Sequence, residues 1–164
     1  MKKMNNIYVF SRQKFKEEFS SLTVEQFMAG AFISIHSPKI GMSFNDTDQI
    51  LESGPNVLNL WFHDADPEDE KLLIGTHREP VVYFNEDMAS KIKNFVEENK
   101  DAKFWFIHCT AGICRSGAIG EVLADFFQIP YHQFKRDNPQ IKPNIHVKNI
   151  LKRIMLQDSN ITNT

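Results

Sequence analysis

One stretch of the chain, His108 to Gly117, contains residue types that together could attack a phosphate ester. Cys109 lies between the apolar run 104–107 and an amphipathic segment that begins near Ser116, so a loop is predicted that leaves a strand and enters a helix. Backbone N–H groups and the dipole at a helix N-terminus favour a bound anion. The predicted phosphate-binding residues are Thr110, Ala111, Gly112, Ile113, Cys114 and Arg115.

Cys109 and Arg115 would carry the chemistry of this loop. A thiol at a helix N-terminus beside a fixed cation is ionised at neutral pH, so Cys109 is predicted to be a thiolate nucleophile. The planar guanidinium of Arg115 matches two oxygens of a phosphoryl group and would stabilise the transition state through the same two contacts. A purely structural turn with two buried thiols does not require His, Cys and Arg to occur together.

His108-Cys109, five further residues and then Arg115-Ser116 resemble the signature loop of the cysteine-dependent protein tyrosine phosphatases, and Gly112 falls where that family has a glycine. The resemblance implies hydrolysis through a phosphocysteine, with no cofactor and no metal. It implies that Ser116 donates to the Cys109 sulfur and that His108 orders the loop rather than titrating. Size and loop chemistry resemble a compact, dual-specificity-like bacterial or phage-type member.

An acid is also needed, because the leaving group must be protonated and a water must later be activated. The family carries this aspartate on a loop after a strand, and here the predicted strand 57–62 runs into Asp64 and Asp66. Alignment with the small dual-specificity-like members makes Asp64 the acid and Asp66, before Pro67, the second choice. Either aspartate could instead be an ordinary Asx-turn residue at a strand end.

Two further residues have alternative interpretations. Asn144 resembles the Pro-Asn element that supports the signature loop in dual-specificity-type members, but Pro-Asn is also an ordinary start of a helix. Cys114 has the spacing of a second cysteine in the low-molecular-weight tyrosine phosphatases, whose loop lies near the N-terminus instead. It could form a reversible disulfide with Cys109, or it could be a small buried apolar residue in the loop wall.

The elements that would position these residues alternate between strands and helices. This order predicts a single α/β domain with a mostly parallel central sheet, helices on both faces and the ligand site at the carboxyl ends of the strands. The predicted strands are 7–10, 32–35, 57–62 and 104–107, and 68–80 is predicted to be a loop. Helices are predicted after the caps Ser11, Thr23, Asn85 and Asn144, and another after the signature loop is predicted to stop at Pro130.

Composition restricts the function classes. The 164 residues fit one domain, predicted as 1–157 with a polar tail 158–164, and the 14 phenylalanines indicate an aromatic core. A net charge of −2 provides no basic field for nucleic acid or an anionic membrane. Two closely spaced cysteines cannot provide the disulfide bonds that stabilise small secreted domains, and the sequence has no long apolar run. A cytoplasmic protein is therefore expected. The sequence specifies no oligomeric state.

The leading hypothesis is a phosphatase that acts on phosphotyrosine in a protein or peptide, with serine and threonine preference left open. One alternative is a pseudophosphatase that binds a phosphorylated ligand without hydrolysing it. That alternative requires the acid loop, the loop that carries Asp64 and Asp66, to be misplaced relative to the signature loop. A second is hydrolysis of an RNA 5′-triphosphate or a phosphoinositide, although positions 110, 111, 113 and 114 carry no Lys or Arg. A third is a metal site, although the cysteine spacing is not that of zinc sites. Its ligands would be His108, Cys109, Cys114 and either His36 or His77.

Overall fold

The computed structural model describes residues 6–38, 49–70 and 81–161, with the side chains of all of these except 69–70 and 157–161. Within these ranges, four strands form one sheet in the order β1-β4-β2-β3, and every neighbouring pair is parallel. Their carboxyl ends therefore meet at one edge. The strands are β1 (Asn6–Ser11), β2 (Gly30–His36), β3 (Val57–Trp61) and β4 (Phe104–Cys109).

Helices cover both faces of this sheet. On one face α5 and α7 pack against each other and against β1, β4 and α4, and α6 packs on α5. On the other face α1 contacts β1 and β4, and α2 contacts β2. This confirms the predicted fold class of a parallel α/β sheet between two helical layers. The helices are α1 (Arg12–Ser20), α2 (Val24–Ala29), α3 (Pro67–Glu70), α4 (Glu86–Glu98), α5 (Arg115–Phe126), α6 (Tyr131–Asp137) and α7 (Ile145–Ile161).

The strands separate the core into two clusters, because successive side chains point to opposite faces. All of β2 is buried: Ile33 and Ile35 face the α4, α5 and α7 side, and Phe32 faces α1. The α1 side is aromatic, with the rings of Phe32 and Phe106 edge to face at a centroid distance of 5.6 Å. A strand buried on both faces reads as a continuous apolar run, which is why β2 could be predicted from sequence.

Local capping chemistry confirms all four predicted helix starts, among them Asn144, whose side chain accepts a hydrogen bond from the Val147 backbone N–H at 3.1 Å. The Ser11 side chain accepts a hydrogen bond from the backbone N–H of Lys14 at 3.1 Å, and the Asn85 side chain accepts one from Met88 at 2.9 Å. Thr23 forms a reciprocal capping box with Gln26. Each interaction joins residues three positions apart, so the sequence pattern contains all the information that is needed.

Several element boundaries differ from the prediction. Helix α5 ends at Phe126, well before Pro130, and the chain turns through Gln128 at φ 60°. Pro130 directly precedes α6, because proline is well tolerated at the start of a helix. This helix was not predicted. Residues 68–70 of the predicted loop are helical in α3, and 71–80 lie outside the described residues.

Helix α7 continues to Ile161, so its backbone is helical within the first part of the predicted tail 158–164. Across the ranges that the structure describes, no helix has both the length and the apolar character needed to cross a bilayer.

Candidate active site

The loop between β4 and α5 lies at the carboxyl edge of the sheet. Strand β4 ends at Cys109 and α5 begins at Arg115, so the cysteine lies beneath the N-terminus of a three-turn helix. The Cys109 sulfur lies 3.0 Å from the Ser116 hydroxyl and 3.3 Å from the backbone nitrogen of Gly112, which donates to it. Both contacts would stabilise negative charge on the sulfur.

Gly112 shows why this loop needs a glycine. Its φ is 71°, in the left-handed region, and a Cβ atom there would lie 2.3 Å from the Ser11 nitrogen. The loop is therefore pressed against the junction of β1 and α1. A second contact holds the same junction, since the Arg12 backbone nitrogen donates to the Thr110 carbonyl at 3.2 Å.

Arg115 connects the signature loop to two other loops at the sheet edge. The residue is only 6 % exposed, and its Nη1 donates to the Phe62 carbonyl at 2.8 Å and to the Ser37 hydroxyl at 2.9 Å. Its Nη2 donates to Thr110 Oγ1 at 3.3 Å. These bonds hold the planar fork at the mouth of the loop, where it could bind phosphoryl oxygens.

His108 is buried on the opposite face of β4 from the Cys109 side chain. Its Nε2 lies 2.8 Å from the Ser34 hydroxyl, and its ring stacks on Phe15 with centroids 4.2 Å apart. Burial, and then the nearby charges of His36 and Arg12, lower the pKa of His108 to about 3. A neutral imidazole that does not titrate near neutral pH fits the ordering role that the resemblance implied.

We expect this buried histidine to make stability pH-dependent. Between pH 7 and pH 5 the unfolded chain binds a proton at this residue and the folded chain does not, so acidification favours unfolding. With an unfolded pKa of 6.5 and a folded pKa of about 3, the free energy of unfolding should fall by about 2 kcal/mol over this window. Urea denaturation at both pH values measures this loss. His108→Gln should lose less free energy of unfolding between pH 7 and pH 5 than the wild type. An equal loss in both proteins would contradict the lowered pKa of His108 as its cause.

The two candidate acids occupy different environments. Asp64 is exposed, and its Oδ1 accepts a hydrogen bond from Asn144 Nδ2 at 2.8 Å. Asp66 Oδ1 accepts from the backbone nitrogen of Glu68 at 2.9 Å, at the start of α3. The Asx-turn role therefore belongs to Asp66, whereas the Asp64 side chain is directed to the segment that packs on the signature loop. The two aspartates therefore have different partners, and Asp64 as the acid stays a prediction.

Hydrogen bonds tie the segment that carries the two aspartates, residues 62–66, to the end of β2 and to the segment before α4. The Phe62 nitrogen donates to the His36 carbonyl at 3.0 Å, and His63 pairs with Val82 through its backbone nitrogen and its ring. A cleft of about 310 Å³ lies between this segment, Cys114 and the residues that precede α7. Its lining comprises Asp64, Ala65, Asp66, Cys114, Lys142, Pro143, Asn144 and Ile145.

Cys114 faces this cleft. It is partly buried, and both it and Cys109 are free thiols in the structure. Burial raises the pKa of the Cys114 thiol, and the charge of Asp64 and a hydrogen bond to it act in the same direction. Cys114 is therefore expected to be a neutral thiol beside the acid.

The residues named for the alternative metal site do not form one in the described ranges. No group of three or more His, Cys, Asp or Glu side chains is placed there to hold an ion. His36 Nε2 lies 2.8 Å from Asn59 Oδ1, and His108 is engaged with Ser34. His77 lies outside the described residues.

Three supporting residues were not found from the sequence. Ser37 binds Arg115, and Gln140 Nε2 donates to the carbonyls of Val9 at 3.0 Å and Gly112 at 3.3 Å. The Lys142 nitrogen donates to the Ile113 carbonyl at 3.0 Å. Only Ser37 had a sequence signal, because a polar residue directly after a buried parallel strand lies at the ligand edge.

Comparisons with known proteins add little to this description. No family model matches the chain, and no curated protein is similar to it. Among solved structures, the chain is similar to one described as Tk-PTP in the active form, with 13% identity and a TM-score of 0.48 over 94% of each chain. This similarity is too distant to support a function, so the assignment rests on the residues of this chain.

Proposed function

We propose that this protein is a cysteine-dependent phosphatase that hydrolyses phosphotyrosine monoesters in proteins or peptides. One observation carries the proposal: the Cys109 sulfur lies under the N-terminus of α5, 3.0 Å from Ser116 Oγ and 3.3 Å from the Gly112 nitrogen. An anion-stabilising pocket around a sulfur, with Arg115 as the first residue of the helix, is suited to attack on phosphorus.

In the proposed first step the Cys109 thiolate attacks phosphorus, and the bond from phosphorus to the tyrosine oxygen breaks. Asp64 gives its proton to that oxygen, so a neutral phenol leaves and a phosphocysteine remains. In the second step the Asp64 carboxylate takes a proton from water as the water oxygen attacks phosphorus. The bond from phosphorus to the Cys109 sulfur breaks, inorganic phosphate leaves, and the Ser116 hydroxyl stabilises the thiolate that is regenerated.

The placement of Asp64 favours an enzyme over a binding-only pseudophosphatase. That alternative required a misplaced acid loop, whereas Asp64 lines the same cleft as Cys114 and is hydrogen bonded to Asn144. The described loop residues 110–114 carry no basic side chain for the additional phosphates of an RNA 5′-triphosphate or a phosphoinositide.

A substrate panel tests the proposal directly. Phosphotyrosine, phosphoserine and phosphothreonine peptides and para-nitrophenyl phosphate would be assayed with the wild type and with Cys109→Ser. We expect release of phosphate from phosphotyrosine by the wild type in the presence of a metal chelator, and none by the variant. Turnover that a chelator abolishes and a divalent metal restores would contradict the mechanism.

Oxidation provides a test of Cys114. Mild peroxide should inactivate the enzyme through Cys109, and bound phosphate or vanadate should slow the loss. If Cys114 acts as a resolving thiol, dithiothreitol restores the wild type, and Cys114→Ser recovers less because Cys109 passes to sulfinic acid. Intact mass distinguishes the products, since a disulfide loses about 2 Da whereas sulfenic acid gains one oxygen. Oxygen addition alone, with equal recovery in both proteins, would make Cys114 a packing residue.

The partner and the compartment follow from the same proposal. The partner would be a phosphorylated protein or peptide, bound with its phosphate in the signature loop. We propose a cytoplasmic setting because a nucleophilic thiol requires a reducing environment.

A further inference from the structure

Asn144 joins three segments that are far apart in sequence. Its Nδ2 donates to Asp64 Oδ1 at 2.8 Å and to the Ala65 carbonyl at 3.3 Å, both in the acid loop. Its backbone nitrogen donates to the Cys114 carbonyl at 3.0 Å, in the signature loop. Its Oδ1 accepts from the Val147 nitrogen at 3.1 Å, which caps α7. Asn144 thus connects Asp64, the signature loop and α7.

The orientation of the Asn144 amide is fixed by these partners. The Val147 N–H can only donate, so it requires the amide oxygen, and the Asp64 carboxylate requires the amide N–H₂. A flipped amide would set donor against donor at Val147 and acceptor against acceptor at Asp64. The helix cap therefore directs the N–H₂ group toward the acid loop.

This contact suits the chemistry proposed for Asp64. A hydrogen bond from Asn144 to Oδ1 leaves Oδ2 to carry the proton that goes to the leaving group. The same donor stabilises the carboxylate that forms once the proton has been transferred. Cys114 of the signature loop lines the same cleft as Asp64 and Asn144.

We infer that Asn144 is a positioning residue that fixes Asp64 over the signature loop for proton transfer to the leaving group. This inference rests on the proposed function and goes beyond the support of the signature loop that the resemblance implied. The Asn144 side chain is hydrogen bonded to Asp64, Ala65 and Val147, so it would act on the reaction through Asp64. Its contribution is to hold one carboxylate oxygen so that the other has a defined direction.

The test uses substitutions that separate the cap of α7 from the contact with Asp64. Asn144→Ser keeps an oxygen that caps the helix but is too short to reach Asp64, and Asn144→Asp keeps the cap while placing a like charge against Asp64. For both, kcat with a phosphotyrosine peptide should fall roughly 10- to 100-fold, with KM little changed. With an activated aryl phosphate, whose leaving group needs little protonation, kcat should change by less than about 3-fold.

Each outcome has a distinct meaning. Equal losses with both substrates, or a large loss of thermal stability, would show that Asn144 only supports the loop and would overturn the inference. In the Asp64→Asn background, Asn144→Ser should cause no further leaving-group-dependent loss, because the group that it positions is gone. If Asp64→Asn lowers phosphotyrosine turnover and the Asn144 variants do not, this inference fails alone. If Asp64→Asn has no such effect, the proposed acid fails instead.

Discussion

Cys109→Ser should reduce turnover by roughly 10⁴-fold or more, because a serine hydroxyl in this loop has no base to activate it and is a poor nucleophile. The variant should still bind phosphate or vanadate. The binding groups are the N-terminus of α5 and Arg115, whose hydrogen bonds to Phe62 and Ser37 do not involve the sulfur. Steady-state assays measure the first effect, and calorimetric titration with phosphate measures the second.

Cys114→Ser is the matched control for this experiment, since it removes the other cysteine of the chain from the same loop. We expect it to retain turnover, because the nucleophile and its contacts to Ser116 and Gly112 are intact. Substantial turnover by Cys109→Ser, or a complete loss in Cys114→Ser alone, would show that the nucleophile has been assigned to the wrong residue.

Asp64→Asn should lower kcat for phosphotyrosine peptides by roughly 10²- to 10³-fold, because an amide cannot protonate the departing phenolate. The loss should be much smaller for activated aryl phosphates, which leave without a proton. A plot of log kcat against the pKa of the leaving phenol, over a series of aryl phosphates, should therefore become steeper in the variant than in the wild type.

Asp66→Asn is the matched control for the acid. Its side chain accepts from the Glu68 nitrogen at the start of α3, and an asparagine oxygen can accept the same bond. We expect kcat and its leaving-group dependence to remain close to those of the wild type. If Asp66→Asn shows the steeper plot and Asp64→Asn does not, the acid is Asp66, and if neither does, the acid lies elsewhere in the chain.

Features that depend on neighbours in sequence could be predicted well. The strands and the capped helices were located because apolar alternation, continuous apolar runs and caps three residues apart are local signals. The single-turn α3 and the two-turn α6 were missed because short helices have little periodicity, and tertiary packing of Phe134 holds α6 in place. The predicted stop at Pro130 was too late, because α5 ends at Phe126 and the chain then turns through Gln128, whose φ is in the left-handed region.

The sequence by itself was enough to predict Cys109 as the nucleophile and Arg115 as the phosphate-binding cation, because both belong to one short loop whose flanking strand and helix can be predicted from local patterns. Only the tertiary structure shows that Asp64 and Asp66 have different partners, since Asp64 contacts Asn144 across 80 positions whereas Asp66 accepts from the nearby Glu68 nitrogen. The contact of Arg115 with the Phe62 carbonyl spans 53 positions in the same way. Parallel strands bring distant loops to one edge of the sheet, and side chains that meet there share no local pattern that a sequence could reveal.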